Sequence, residues 1–286
     1  LEDLLNLGRQ SPRWIKLIVT SRQVPHLEKH MSGSALVDLR LDRRNVDRDI
    51  STFITCRLEG SKLKIRRDEI ENIKRSICER GKGLFLYARL MLDQLLLKPE
   101  DIASRVDNLP DGLGDMYTNL LHDHARRSGT STDFQRLVLQ WITHSARPLR
   151  LLELASMIEA LPDRGGLDPD CNVKLAIRTA CGPLLEVCED GVVQIIHHSL
   201  TEFILNRDVE HTQMANQSRE FAAVDSPAVH GMIARACIRY LSSGCLQQWD
   251  IEHHSQSDRT ALLLQHYFLK YAISEWPFHV NKAADS

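Results

Sequence analysis

Apolar residues recur at helical spacing over most of this chain. Ile50, Ile54 and Leu58 fall on one face, like the core-facing stripe of an amphipathic helix. Residues 83–97 are apolar on most sides, which predicts a helix at the centre of a bundle. The same pattern predicts further helices over residues 70–81, 100–106, 115–126, 134–142, 151–161, 172–181, 228–242 and 259–276. The last of these is too apolar to stand free, so it should pack on the preceding helix or on a part outside this chain.

Short apolar runs predict four strands. Residues 14–19 form a mostly apolar run typical of a strand buried in a parallel sheet, and residues 35–41 predict a second strand. Residues 184–188 and 192–196 flank the turn Glu189-Asp190-Gly191, which indicates a β-hairpin. Three helices followed by a hairpin is the order of a winged helix. We therefore expect a mainly α protein in which two strands of an α/β sheet come first and a winged helix follows.

Composition and charge are those of an ordinary soluble protein. The 286 residues are 43% hydrophobic and 26% charged, with a net charge of -2. The charge lacks the positive footprint of a nucleic-acid-binding protein. The longest apolar run, residues 91–97, contains Asp93 and Gln94, so we expect no membrane span. The chain begins at Leu1 without a signal peptide, which favours a piece of a longer protein.

The seven cysteines contain no C-x-x-C pair. An odd number in a chain of this size indicates reduced thiols and predicts a cytoplasmic location. Cys181, Cys188, His197 and His198 carry side chains that can bind zinc. We nevertheless expect no metal, because the two cysteines are further apart than the spacing of about two to four residues usual in zinc sites.

The most distinctive local pattern joins a strand to two histidines and a helix. His197 and His198 follow the second hairpin strand, and Ser199 and Glu202 have the S-x-x-E spacing of a capping box. The histidines would then lie at a helix N-terminus, where free N–H groups and the macrodipole favour an anion. One hypothesis is that His197 binds a nucleotide phosphate for a switch, without doing chemistry itself. The alternative is a partly buried, hydrogen-bonded histidine with a structural role.

A second polar group follows the first predicted strand. Thr20, Ser21 and Arg22 come directly after the apolar run, and ligands of open α/β sheets bind beyond the carboxyl ends of strands. Arginine suits phosphate because its guanidinium is planar, always charged and able to form paired hydrogen bonds. The alternative is that Arg22 only solvates the end of the strand.

A winged helix can also bind DNA, and the third helix of this one offers Lys174 and Arg178. The hairpin tip carries Glu189 and Asp190, which would repel phosphates. We therefore expect no nucleic-acid partner, since a fold alone does not determine function.

Taken in order, these motifs resemble the second half of a fungal NACHT-type protein of the STAND class of signalling NTPases. Residues 16–22 resemble the sensor-1 strand of that family, and the resemblance implies that Thr20 and Arg22 lie at the nucleotide, with the arginine facing the γ-phosphate. Residues 83–88 are similar to the motif of the helical domain that lies against the adenine. Phe85 stands there in place of a proline.

Ile196-His197-His198 stands where related proteins have Met-His-Asp, whose histidine contacts the β-phosphate of ADP. His198 replaces the aspartate, and its role stays open. The resemblance implies that His197 and Arg22 converge on one nucleotide-sized cleft.

Two further segments look like winged-helix signatures of the same family. They are Arg147-Pro148-Leu149 with Glu153-Leu154, and Cys181-Gly182-Pro183-Leu184-Leu185. This winged helix also carries the name of GPI inositol-deacylase, but no G-x-S-x-G nucleophile elbow occurs, so lipase chemistry does not follow. Tyr271-Ala272 with Trp276 and His279 resembles the end of a linker before ankyrin or similar repeats. The implied domains are 1–44 (remnant of the nucleotide-binding domain), 45–129 (helical), 130–207 (winged helix) and 208–286 (connector and linker).

The sequence lacks the parts that phosphoryl transfer needs. No G-x-x-x-x-G-K-[ST] loop occurs, and no acidic run that could hold Mg²⁺ precedes Thr20. We expect that this chain alone neither hydrolyses ATP nor holds it tightly, and that ATP, ADP or GTP binds only in the intact protein. The implied partners are the phosphate-loop half of the same protein, C-terminal repeats, protein ligands and other copies in an activated oligomer. The alternative is a structural scaffold with no nucleotide dependence.

Overall fold

The computed structural model describes residues 18–20, 37, 39, 41–61, 63, 65–98, 101–205, 221, 225–246 and 256–284. Two compact units are present, Leu1–Val46 and Asp47–Ser286. The described residues are mostly helical, and the sheet among them is a two-stranded antiparallel hairpin. The prediction of a mainly α fold is confirmed.

The described part of the chain contains twelve α-helices and two strands. In chain order they are α1 (Arg43–Glu59), α2 (Arg67–Gly81), α3 (Phe85–Leu97), α4 (Ile102–Asp107), α5 (Gly112–Ser128), α6 (Thr132–His144), α7 (Leu151–Glu159), α8 (Val173–Ala180), β1 (Leu185–Val187), β2 (Val193–Ile195), α9 (His198–Ile204), α10 (Ser226–Ser242), α11 (Gln256–Gln265) and α12 (Leu269–Ala284).

Helices α2 to α5 pack as a bundle, in which α2 and α3 each contact the other three helices. Tyr87, in the first turn of α3, is fully buried, and its hydroxyl donates to the Pro110 carbonyl at 2.5 Å. α2 ends at Gly81, but the residue that takes the left-handed conformation is Lys82 (φ 50°). Gly81 is needed for packing instead, because a Cβ there would lie 2.7 Å from the Tyr87 ring.

The winged helix consists of α6, α7, α8 and the hairpin. Asn172 caps α8 by accepting the Leu175 backbone N–H at 3.1 Å. β1 and β2 pair in antiparallel register with Leu185 opposite Ile195. An isolated bridge between Arg150 and Val192 ties the entry of α7 to the hairpin.

Helix α5 joins the bundle to the winged helix. It packs against α2 and α3 and also against α6, α8 and α9. The buried side-chain amide of Gln135 donates to the carbonyl of Leu121 in α5 at 2.7 Å and to that of Ala180, the last residue of α8, at 2.5 Å. The amide therefore satisfies a carbonyl that the end of α8 leaves free.

The single helix predicted over residues 259–276 is wrong. Two helices, α11 and α12, occupy this region, and the chain turns between Gln265 and Leu269. Phe268, fully buried in this turn, lies edge-on to Trp141 of α6 (5.6 Å) and Tyr240 of α10 (5.2 Å). These tertiary contacts fix the turn. α12 then continues through Pro277 and packs against α10. This confirms the expected packing on the helix that was predicted over residues 228–242.

The two N-terminal strands are not found where the structure describes them. Ile18 and Val19 have no regular secondary structure and are exposed, and so are Val37, Leu39 and Leu41. A strand needs a neighbour to pair its backbone groups, and these described residues pair with none. The other residues of both predicted strands lie outside the described part of the chain.

Candidate functional site

His197 lies where the hairpin leads into α9, and it is the N-cap of that helix. Its backbone is extended (φ -157°, ψ 141°), and its Nδ1 accepts the Ser199 backbone N–H at 3.2 Å. The predicted capping box of Ser199 and Glu202 is therefore wrong, because Ser199 is already inside the helix. The imidazole takes an N–H that was expected to bind an anion, so a ligand would meet the histidine ring and not that backbone group.

Ser199 makes a buried connection beneath His197. Its hydroxyl lies 2.7 Å from His197 Nδ1 and 2.7 Å from the hydroxyl of Tyr117, which is on α5. Ser199 is 7% exposed and Tyr117 is fully buried, with its ring packed against Phe203 (5.5 Å). Burial raises the pKa of Tyr117 to about 12, so this phenol keeps its proton at neutral pH. The sequence analysis did not identify Tyr117 as a partner of His197. The only indication in the sequence is that a residue with a hydroxyl group occupies an apolar position of a helix.

The two adjacent histidines have different side-chain partners. Both are exposed. His198 is in the first turn of α9, where its Nε2 lies 3.5 Å from the carboxylate of Glu202. His197 instead faces the Ser199–Tyr117 connection through Nδ1. Within the described part of the chain, its Nε2 has no hydrogen-bond partner.

Phe85 begins α3 and is 43% exposed. Its ring packs on Phe53 of α1 at 4.9 Å, and the neighbouring Leu84 is also 41% exposed. These side chains form a small apolar surface at the start of the helix. The adenine contact that the resemblance implies stays a prediction.

The N-terminal candidates precede the unit that contains His197. Thr20 belongs to the first unit, where it is exposed and has no regular secondary structure. Arg22 lies outside the described residues. The convergence of Arg22 and His197 on one cleft therefore stays a prediction.

The Arg147-Pro148-Leu149 signature has a structural explanation. Arg147 forms a paired ion bridge with Glu153, with N–O distances of 2.6 and 3.0 Å, and the Arg150 backbone N–H adds a third donor at 2.8 Å. The guanidinium also lies over the Tyr271 ring, 5.1 Å from its centroid. The bridge raises the pKa of Arg147, since Glu153 stabilises its charged form. This arginine ties the winged helix to α12.

We expect Arg147→Met to lower the free energy of unfolding by about 2 kcal/mol, because a nearly buried carboxylate loses both side-chain hydrogen bonds. Glu153 has only 10% of its side chain exposed and would retain the Arg150 N–H. Urea unfolding measures the loss. The matched control is Arg147→Met combined with Glu153→Gln, which removes the unpaired charge and should recover part of the stability. A double variant as unstable as the sum of the two single variants would contradict this explanation.

The Cys181-Gly182-Pro183 signature marks a close approach of α5 to the end of α8. Gly182 has a positive φ of 53°, and a Cβ built there would overlap the imidazole of His124. His124 is 7% exposed, and burial lowers its pKa, so the ring is neutral at physiological pH. Glycine is thus favoured at position 182 by both conformation and space.

A third polar cluster joins α6, α10 and α12. The Tyr271 hydroxyl accepts the Ala146 backbone N–H at 3.1 Å and lies 2.8 Å from His279 Nε2. Nδ1 of His279 lies 2.9 Å from Nδ1 of His230, whose ring meets that of His144 edge-on. All three histidines are buried, and His279 is fully enclosed. We call His144, His230 and His279 the histidine cluster.

The third helix of the winged helix presents a mixed surface. Lys174 and Arg178 of α8 are exposed, but Leu175 between them is 59% exposed. Glu189 and Asp190 are exposed at the hairpin turn. These positions agree with the expected absence of a groove-binding charge pattern, and the absence of a nucleic-acid partner stays a prediction.

None of the helices in the described part of the chain is both long enough and apolar enough to cross a membrane. No group of three or more histidine, cysteine or acidic side chains in the same residues is arranged to hold a metal ion.

Comparison with known proteins gives a family match for the middle of the chain. Residues 125–222 match the family described as GPI inositol-deacylase, winged helix domain. The matched range contains α6 to α9 and the hairpin, so the predicted winged helix is confirmed. No curated protein and no solved structure matches the chain.

Proposed function

We propose that this chain is part of a nucleotide-dependent signalling switch, in which His197 reports bound ADP by donating a hydrogen bond to its phosphate. One observation carries the proposal. Nδ1 of His197 accepts the Ser199 N–H, so a neutral ring carries its proton on Nε2, and the side chain is exposed. An outward N–H donor on a residue fixed at a helix start suits a phosphate oxygen.

The free energy needed to reverse the switch is larger than one residue can contribute. A hydrogen bond to a charged group contributes about 1.5–3 kcal/mol net. Reversing a two-state population from 1:99 to 99:1 needs about 5.5 kcal/mol of differential binding. His197 therefore acts together with contacts between domains, and in our proposal Arg22 senses the additional phosphate of ATP.

The nucleotide, ATP, ADP or GTP, would bind only in the intact protein, since the phosphate loop and the magnesium ligands are not in this sequence. The proposed partners are that N-terminal half, C-terminal repeats, protein ligands and other copies of the activated protein, in the cytoplasm. The intact protein would be at most a slow NTPase. The winged helix, tied to α5 and α12, would be the part that reports the nucleotide state.

The test is the rate at which ADP leaves the intact protein. His197→Ala should raise that rate about tenfold or more, since one hydrogen bond to a charged phosphate is lost. It should also raise basal signalling. His197→Asn is the sharper variant, because asparagine is a good N-cap and would keep the start of α9, while its shorter side chain places no N–H donor at the position of the imidazole Nε2.

The two variants separate the proposed role from a purely structural one. If His197 binds phosphate, both variants release ADP faster. If His197 only caps the helix, His197→Asn releases ADP at the original rate and differs from His197→Ala only in stability. That outcome would remove the phosphate role.

A further inference from the structure

We propose that Tyr117 is a positioning residue for His197, and that Tyr117 and Ser199 together hold its imidazole in one neutral tautomer with the proton on Nε2. The importance of this tautomer rests on the proposed function of His197. The tautomer itself is a property of this chain and can be measured without any nucleotide.

The geometry is a continuous line of three side chains from α5 to the surface. The Tyr117 hydroxyl lies 2.7 Å from the Ser199 hydroxyl, which in turn lies 2.7 Å from His197 Nδ1. Both distances are those of good hydrogen bonds. The line begins at a fully buried phenol and ends at an exposed imidazole.

The proton directions follow from the one donor that cannot reverse. A backbone N–H can only donate, and that of Ser199 points at His197 Nδ1 from 3.2 Å. Nδ1 must therefore offer a lone pair, because a second N–H there would face the first. The Ser199 hydroxyl then also donates to Nδ1, and its oxygen accepts the proton of Tyr117.

Tyr117 fixes the direction in which the Ser199 hydroxyl donates its hydrogen bond. A serine hydroxyl alone can rotate and either donate or accept. With the Tyr117 O–H donating to its oxygen, Ser199 is driven to donate onward to Nδ1. Burial holds Tyr117 protonated, so its hydroxyl keeps a proton to donate at physiological pH. The imidazole is thereby fixed by a residue of α5.

The tautomer can be measured directly by NMR of ¹⁵N-labelled histidine in the 286-residue chain. In the unaltered protein, His197 should carry its neutral proton on Nε2. Tyr117→Phe keeps the ring on Phe203 and removes only the hydroxyl, and the population of the Nδ1–H form should rise roughly fivefold to tenfold, the effect of one ordinary hydrogen bond. Tyr87→Phe is the matched control, since it removes another buried hydroxyl of the bundle that bonds to Pro110. It should leave the His197 tautomer unchanged.

A second variant protects the test against a loss of folding. Ser199→Ala removes the middle of the line and should increase the Nδ1–H population by itself. Adding Tyr117→Phe to Ser199→Ala should then have no further effect on the tautomer, because the two residues act in series. A proton on Nδ1 in the unaltered protein, an unchanged ratio in Tyr117→Phe, or additive effects in the double variant would each overturn the inference.

The outcome is separable from that of the proposed function. A shifted tautomer in Tyr117→Phe supports the positioning role even if His197→Asn releases ADP at the original rate, which would overturn only the phosphate role. An unshifted tautomer overturns the positioning role whatever the ADP measurements give.

Discussion

Gly182→Ala should lower the free energy of unfolding by about 3–4 kcal/mol, the largest effect expected of a single substitution here. A left-handed backbone costs an alanine roughly 1–2 kcal/mol, and forcing a methyl group into a packed interior costs about 1–3 kcal/mol more. The methyl group would overlap the imidazole of His124, which is only 7% exposed and therefore has little room to move away. Urea unfolding measures the loss.

Gly191→Ala is the matched control for the steric part. Gly191 also has a positive φ, 82°, but nothing lies within 4 Å of a Cβ built there. Gly191→Ala should therefore lower the free energy of unfolding only by the roughly 1–2 kcal/mol that a left-handed backbone costs an alanine. Combining Gly182→Ala with His124→Ala should restore part of the stability, because the overlapping ring is gone. Equal losses for the two glycine variants would show that His124 has no part in the effect.

Acid should destabilise the fold through the histidine cluster, by roughly 3 kcal/mol between pH 6.5 and 4. Burial lowers the pKa of His279 from 6.5 to about 4, with smaller contributions from His230 and His144. The folded-state pKa is thus below the unfolded value, so the unfolded chain binds the proton first as the pH falls. The stabilisation is complete above pH 6.5 and is lost progressively down to about pH 4.

The geometry explains why His230 and His279 cannot both be protonated in the folded state. One N–H donor fits between the Nδ1 atoms of His230 and His279, 2.9 Å apart, but two protonated rings would face each other with two donors. Lys282 on the same side of α12 adds positive charge and lowers the pKa of His230 further, after burial as the main cause. No carboxylate is among the causes that shift the pKa of either ring.

The measurement is the urea midpoint at several pH values from 7 to 4. His279→Gln should flatten the dependence between pH 6.5 and 4, whatever it does to stability at pH 7. His198→Gln is the control, because His198 is exposed and its contact with Glu202 is long. An equally steep dependence in His279→Gln would assign the acid sensitivity to other groups.

Local patterns were sufficient for most of the helices and for the hairpin. The spacing of Ile50, Ile54 and Leu58 predicted α1, and the Asp190-Gly191 turn predicted that β1 and β2 pair as a hairpin. These features depend on neighbours within a few residues. The capping box failed because α9 starts with His197 as its N-cap, two residues before Ser199, and the Ser199 hydroxyl instead contacts His197 and Tyr117, which is 82 residues away in sequence.

The same limit explains the other errors and omissions. No glycine or proline marks the turn between α11 and α12, which is fixed by the burial of Phe268 against Trp141 and Tyr240. The histidine cluster joins residues from three helices, and nothing near any of them in sequence indicates a partner. His197 could be singled out from sequence because its position after a strand is local, whereas the side chains that orient it are not.

Helix α5 also matters for anyone who divides this protein into shorter pieces. Its residues Tyr117, Leu121 and His124 contact the winged helix, although the predicted boundary at 129 assigns them to the domain before it. A fragment starting at residue 130 would leave Ser199 without its phenol and would uncover the surface that α5 now shields. A fragment starting near residue 111 would keep α5 and the contacts that it makes with the winged helix.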